Sequence, residues 1–279
     1  MLPGTNVTLE IFSPVLSNPI ASTGVAEISA LVVEFNDTEY YDLNGDPYYV
    51  VPAVLDIRGS FIDYRVKASG SFTNVPDDGF NGYKLSFDGL GGDSGVTIRD
   101  VRLLGDFNSL DVPEENLSFT ATSAMLNVDG LRYATGEGVT AVVDFKIEGT
   151  EGWDVRAGGE GDDKVLGRQG RDILAGGEGD DTLVGGMGMD TLDGGPGKDR
   201  LIGGYGPDTF VMSAGSGRSQ VMDFAEGDRI LVQTGAEGID DLEISARNGK
   251  VVIEDGDAVV ILEGTSPGDI GEEDFVFAF

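Results

Sequence analysis

Between Gly158 and Val211 the chain repeats a nine-residue pattern six times without a slip. Written in nines it reads GGEGDDKVL, GRQGRDILA, GGEGDDTLV, GGMGMDTLD, GGPGKDRLI, GGYGPDTFV. Glycine opens each unit (Gly158, Gly167, Gly176, Gly185, Gly194, Gly203) and returns at the fourth place. Aspartate holds the sixth place throughout: Asp163, Asp172, Asp181, Asp190, Asp199 and Asp208. A large apolar residue holds the eighth: Val165, Leu174, Leu183, Leu192, Leu201 and Phe210. A fixed short period predicts a solenoid, because one such unit cannot bury its apolar residue except against its neighbours.

The residue types at each place point to a chemistry. Glycines at the first, second and fourth places allow positive φ and close backbone approach, so six residues can make a tight half-turn with carbonyls pointing inward. Outside unit two, the carbonyls at the second and fourth places belong to Gly159, Gly161, Gly177, Gly179, Gly186, Gly188, Gly195, Gly197, Gly204 and Gly206. The aspartate adds a carboxylate, completing an all-oxygen cage suited to a hard cation such as Ca2+. Residues seven to nine then form a short strand whose eighth-place side chain points into the roll. Without a cation, carboxylates stacked on adjacent turns repel, so folding is expected to be coupled to metal binding. A glycine-rich linker or a metal-free solenoid does not require an aspartate in all six units.

The stretch resembles the repeats-in-toxin, or hemolysin-type calcium-binding, nonapeptide GGxGxDxUx. The resemblance implies a parallel β-roll with two nonapeptides per turn, so that units one, three and five stack on one side and two, four and six on the other. Calcium would then lie between stacked half-turns, held by Asp163, Asp181 and Asp199 on one side and by Asp172, Asp190 and Asp208 on the other. Adjacent pairs give about four interior sites. Arg168 replaces the second glycine of unit two, and Arg171 and Lys198 bring positive charge into the turns. The site between units two and four is therefore expected to be the most disturbed. Just upstream, Gly149, Gly152 and Asp154 look like a decayed seventh unit able to cap the roll.

Composition narrows the functional classes. The chain of 279 residues has 50 acidic and 18 basic residues and a net charge of −32, which disfavours nucleic acid and anionic membranes as partners. Histidine is absent, which excludes a Ser-His-Asp triad, an HExxH zinc site and a histidine general base. Cysteine is absent as well, so there is no disulfide framework and no thiolate chemistry. No run approaches the roughly 20 apolar residues of a membrane-spanning helix. The first basic residue is Arg58, so the start of the chain lacks the charged region of a signal peptide. Read alone, that suggests a cytoplasmic protein. Calcium sites with few carboxylates suit instead the high free calcium outside cells. The resemblance reconciles the two, since it implies release from a Gram-negative cell through a type I exporter that reads an uncleaved C-terminal signal.

The remainder reads as all-β. Residues 1–148 show alternating runs at Ile62, Tyr64, Val66 and Ala68, at Tyr83, Leu85 and Phe87, and at Val139, Ala141, Val143, Phe145 and Ile147. Turn signals separate them, among them Asp77-Asp78-Gly79 and Asp129-Gly130. This spacing predicts a β-sandwich of jelly-roll type. Within it, Asp42-Leu43-Asn44-Gly45-Asp46 opens like an EF-hand loop, but Pro47 and Ala53 stand where the glycine and the glutamate are needed, which favours an ordinary turn. Tyr40, Tyr41, Tyr48 and Tyr49 flank that loop and could stack on sugar rings or serve as core and edge residues. Trp153, the only tryptophan, is expected to cap the first turn of the roll.

Residues 149–211 are then the roll, and 212–279 a β-rich cap. In the cap, Val221-Met222-Asp223-Phe224 and Gly227-Asp228-Arg229-Ile230 resemble the segment that closes rolls in serralysin-like C-terminal regions. Strands are expected at Leu242–Ala246, Lys250–Ile253 and Ala258–Leu262. The acidic and then hydrophobic ending, Glu272 to Phe279, looks like the export signal, or is simply a last edge strand. The reading is a secreted calcium-binding protein with a non-enzymatic binding or adhesion module at its N-terminus, directed to polysaccharide or a cell surface. Two rivals stay open: an enzyme acting on extracellular polysaccharide (hydrolase, lyase or epimerase), and a calcium-dependent surface-layer or matrix protein.

Overall fold

The computed structural model describes residues 90, 95–104, 111–127, 132–133 and 138–278, together with the backbone of the strands lying between Asn6 and Asp88. The described residues hold strands and short 3-10 turns and no α-helix. Two compact units divide the chain, Met1–Asp144 and Phe145–Phe279.

In the first unit, Asn6–Phe12 pairs antiparallel with Gly82–Asp88, which pairs with Ser123–Asn127, itself paired with Leu117–Thr120. A second set runs Leu31–Glu34, Ala53–Arg58, Phe61–Val66 and then residues 138–142, again antiparallel. The strands expected around residues 62–68, 83–87 and 139–147 are thus present as Phe61–Val66, Gly82–Asp88 and Gly138–Glu148. The last of these departs from simple alternation, because residues 141–145 are buried on both faces. Asp144 can sit there because Arg102 meets it with two hydrogen bonds of 3.0 Å, one to each carboxylate oxygen. Tyr40 and Tyr48 are register partners on the paired strands Glu39–Tyr41 and Pro47–Tyr49. The intervening loop 42–46 and the tyrosine side chains lie outside the described residues, as do the turns at 77–79 and 129–130.

The second unit is a parallel β-roll built from two sheets. One sheet stacks Val155–Glu160, Ile173–Glu178, Thr191–Asp193, Thr209–Ser213, Arg229–Gln233 and Phe275–Phe277, all parallel. The other stacks residues 146–148, Lys164–Gly170, Thr182–Gly188, Lys198–Tyr205, Arg218–Val221 and Ala258–Leu262, also parallel. Lys250–Asp255 and Glu243–Arg247 then add to that sheet in antiparallel fashion.

Eighth-place side chains line up in two columns between the sheets. Ile147, Val165, Leu183, Leu201, Val221 and Leu262 form one, and each is almost fully buried. Leu174, Leu192, Phe210, Ile230 and Phe275 form the other. Each buried Leu or Phe contributes on the order of 2 kcal/mol by leaving water, so the columns are the main apolar support of the roll. The strands do not stop where the nonapeptides end. Val221 and Leu262 prolong one column, and Ile230 and Phe275 the other. The residues expected to form a separate cap therefore extend the roll itself, and the C-terminal strand Phe275–Phe277 is its last rung on one side.

Candidate metal centre

The turns joining the two sheets are packed too tightly for side chains at the glycine places. A Cβ on Gly177 would stand 1.9 Å from the Gly159 carbonyl oxygen, and one on Gly188 would stand 1.5 Å from that of Gly170. Both glycines also adopt positive φ, +115° and +150°. The second- and fourth-place carbonyls are thereby brought into two close-packed files, one along each edge of the roll.

Arg168 shows how the pattern tolerates a departure. Its backbone takes φ +84°, as its glycine counterparts do, and its carbonyl lies where a Cβ on Gly186 would be 2.1 Å away. The exposed guanidinium turns aside to bond Glu148. Arg171 and Lys198 are exposed too. The backbone between units two and four is therefore stacked like the others, and the disturbance expected there is confined to side chains.

The six aspartates stand in two ladders. Asp163 N–H donates to Asp181 Oδ1 at 2.7 Å and Asp181 N–H to Asp199 Oδ1 at 3.0 Å. On the other side, Asp172 N–H donates to Asp190 Oδ1 and Asp190 N–H to Asp208 Oδ1, both at 2.8 Å. The main-chain carbonyls of Asp163, Asp172, Asp181 and Asp190 also face the next rung, each accepting the N–H of its seventh-place residue, as Asp163 does from Thr182 at 2.9 Å. The pairing of units one, three, five and two, four, six is thus the one the resemblance implied.

Each carboxylate divides its oxygens unequally. Oδ1 is taken by the ladder, whereas Oδ2 of all six aspartates is buried with no hydrogen-bond partner. Oδ2 lies against the opening glycine of its own unit: a Cβ on Gly176 would be 2.2 Å from Asp181 Oδ2 and 2.5 Å from the Gly194 carbonyl oxygen. A buried carboxylate oxygen left unpaired is costly, since removing charge from water needs a compensating partner. Burial is accordingly the largest cause pushing the carboxyls of Asp172, Asp190, Asp199 and Asp208 upward, partly offset by the ladder N–H donors. Repulsion between stacked carboxylates adds to it but is secondary. Asp199 is pushed up to about 7 and Asp208 to about 6. A hard cation with a preference for oxygen is the partner that such an arrangement of orphan carboxylate oxygens and close carbonyls fits.

A model of the RTX calcium-binding nonapeptide repeat, in four copies, matches residues 148–183 and 184–218. Residues 148–218 are RTX calcium-binding repeats. The RTX roll carries Ca2+ as its cofactor, and the orphan Oδ2 atoms are the groups on this chain that such an ion would satisfy. Among solved structures, the extracellular lipase LipA from Serratia marcescens is 20% identical, over 48% of this chain and 40% of the lipase, with a TM-score of 0.28. The AlgE6R2 subunit of the Azotobacter vinelandii mannuronan C5-epimerase is 29% identical over 43% of this chain and 91% of its own, with a TM-score of 0.34. The AlgE6R3 subunit of the same epimerase is 27% identical over 47% and 81%, with a TM-score of 0.23. The chain thus spans two fifths of the lipase length. No curated protein sequence matches the chain.

The segments expected to close the roll supply two carboxylates, Asp223 and Asp228, whose place in the ladders sequence reasoning had not assigned. Asp208 N–H donates to Asp228 Oδ1 at 2.9 Å, and Asp228 Oδ2 accepts from Ala225 N–H. Asp223 accepts from the N–H groups of Gly203 and Gly204, at 3.0 and 2.9 Å. It thereby closes the turn of the sixth unit with a side chain, whereas the Gly177 N–H of the third unit donates to the Gly194 carbonyl. The only hint was the acidic pair in the DF and GD segments. Trp153 is not the buried cap expected, because it is 69% exposed.

Proposed function

We propose that this is a secreted protein whose RTX roll is a calcium-triggered folding switch. In the low calcium of a cell the buried negative charge of the six carboxylates disfavours the rolled state and leaves the segment extended. Outside the cell, calcium satisfies them and the roll closes. The observation that carries this reading is the buried Oδ2 without a hydrogen bond on Asp172, Asp190, Asp199 and Asp208. The ligands are the six carboxylates with the second- and fourth-place carbonyls, and about four ions lie between stacked units. Release through a type I exporter of a Gram-negative cell, read from the C-terminal end, accords with the acidic, cysteine-free composition. The first unit is a β-sandwich acting as a non-enzymatic adhesion module for polysaccharide or a cell surface, a role supported by its antiparallel strands and tyrosine-flanked loop.

A calcium titration of the full chain, followed by far-UV circular dichroism and Trp153 fluorescence, tests the switch. A cooperative gain of β signal at roughly 10⁻⁴ to 10⁻³ M calcium is expected. Full β content in chelator at low ionic strength would sink it.

A further inference from the structure

Asp154 occupies the sixth place of the degenerate unit that precedes the six regular ones, and it belongs to the same ladder. Its N–H donates to Asp172 Oδ1 at 2.8 Å, and its carbonyl accepts from Ile173 N–H at 2.9 Å. Its carboxylate is nevertheless unlike the six above it. Oδ2 accepts the Thr150 N–H at 2.6 Å and the Thr150 hydroxyl at 2.8 Å. Oδ1 lies 3.0 Å from Arg156 Nη2. Neither oxygen is left without a partner.

Arg156 stands in an unexpected place. It is the register partner of Leu174, so it heads the column that continues through Leu192, Phe210, Ile230 and Phe275. Every other member of that column is apolar and buried. A long basic side chain can lay its methylene stem along an apolar surface while its head reaches a polar group, which suits the first rung of a solenoid. Arg156 Nε is buried without a partner, so the guanidinium is held at this place through its bond to Asp154.

We infer that the first rung of this ladder is closed without calcium, by Thr150 on Oδ2 and the Arg156 guanidinium on Oδ1, so that Asp154 is not a metal ligand. The inference rests on the calcium-binding reading of the six regular units. Its consequence is a rung that forms without metal and presents Asp154 N–H and C=O, already positioned, to the first calcium-dependent rung at Asp172. Metal-free closure at one end gives the roll a template, which lowers the cost of nucleating the next turn.

Calorimetric titration of the full chain with calcium, with circular dichroism in saturating calcium as the check on folding, counts the ions. Asp154→Asn is expected to leave the number bound unchanged, whereas Asp172→Asn lowers it. Arg156→Ala is expected to leave Asp154 Oδ1 without its counter-charge and raise the number by one, and Arg156→Lys to keep the wild-type count. Terbium gives a second reading, because Trp153 adjoins Asp154. An ion newly bound at Asp154 should raise tryptophan-sensitised emission in Arg156→Ala. Loss of one ion in Asp154→Asn would overturn the inference even if Arg156→Ala failed to fold, as would an unchanged count and emission in a folded Arg156→Ala. A wild-type chain that binds no calcium would instead overturn the reading of the whole roll.

Discussion

Asp172 and Asp190 lie one rung apart, and the N–H of the first donates to Oδ1 of the second at 2.8 Å while Oδ2 of both is buried with no hydrogen-bond partner. One oxygen of each carboxylate therefore builds the solenoid and the other is left for a cation. Structure and function share a single side chain, and the two can be separated by substitutions that keep one oxygen and change the other.

Asp181→Asn retains an acceptor at the ladder position and removes the buried charge. Calcium affinity should fall roughly tenfold or more, in the range seen when a metal site loses a supporting group. In chelator the same variant should be more folded than the parent, because a buried negative charge has been removed. Paired circular dichroism curves with and without calcium check both signs; a variant less folded under both conditions contradicts the division of labour.

The metal-free fold should respond to acid in the opposite direction to most proteins. Asp199 at about 7 and Asp208 at about 6 lie above the unfolded value of about 3.9, so the fold binds their protons more tightly. Their contribution to stability is fully present below about pH 4 and is lost as pH rises through 6 and 7. Calcium-free protein should gain β signal between pH 7.5 and 4.5, and calcium affinity should weaken over the same window as protons compete for the carboxylates. The double variant Asp199→Asn, Asp208→Asn should flatten the response. A calcium-free signal that falls on acidification would count against the assignment.

Gly188→Ala would force a methyl group onto the Gly170 carbonyl oxygen, 1.5 Å away, at a backbone φ of +150°. The turns must separate, and a loss of several kcal/mol is expected, on the order of 3 or more. Gly238→Ala is the control. Its site is extended and open, with nothing within 4 Å, and the change should fall within about 0.5 kcal/mol. Thermal unfolding in saturating calcium separates the two; equal midpoints would mean that the turns are looser than the stacking described.

Arg168→Gly should stabilise the roll. Arg168 holds φ +84°, a conformation that costs an L-residue about 1 kcal/mol or more. Its ion pair with Glu148 is partly exposed and contributes at most about 1 kcal/mol in return. A melting point in calcium a few degrees above the parent is the expected result, and a lower one would show that the Glu148 contact outweighs the strain.

Much of the roll was legible in the chain. The period of nine placed Asp163 to Asp208 in sixth position and Val165 to Phe210 in eighth, and those residues form the ladders and the buried columns. The continuation of the columns was not legible. Leu262 stacks on Val221 and Phe275 on Ile230 across loops that break the period, so no spacing announced them. Trp153 misled because an aromatic residue at a junction suggests burial, whereas the fifth place of a turn faces outward and leaves it 69% exposed.

The sequence by itself determined the repeat, its glycine turns, its carboxylate at every rung and the apolar residue behind it. These are properties of residue type at fixed spacing, and a solenoid reads them locally. Only the tertiary structure decided how each carboxylate shares its two oxygens, since Oδ1 is claimed by an N–H one rung away. It also decided that Asp154 is satisfied by Thr150 and Arg156 while Asp172, one rung on, keeps an orphan oxygen. Both depend on which backbone group or side chain arrives opposite a carboxylate when the rungs stack, and that meeting is a matter of three-dimensional register.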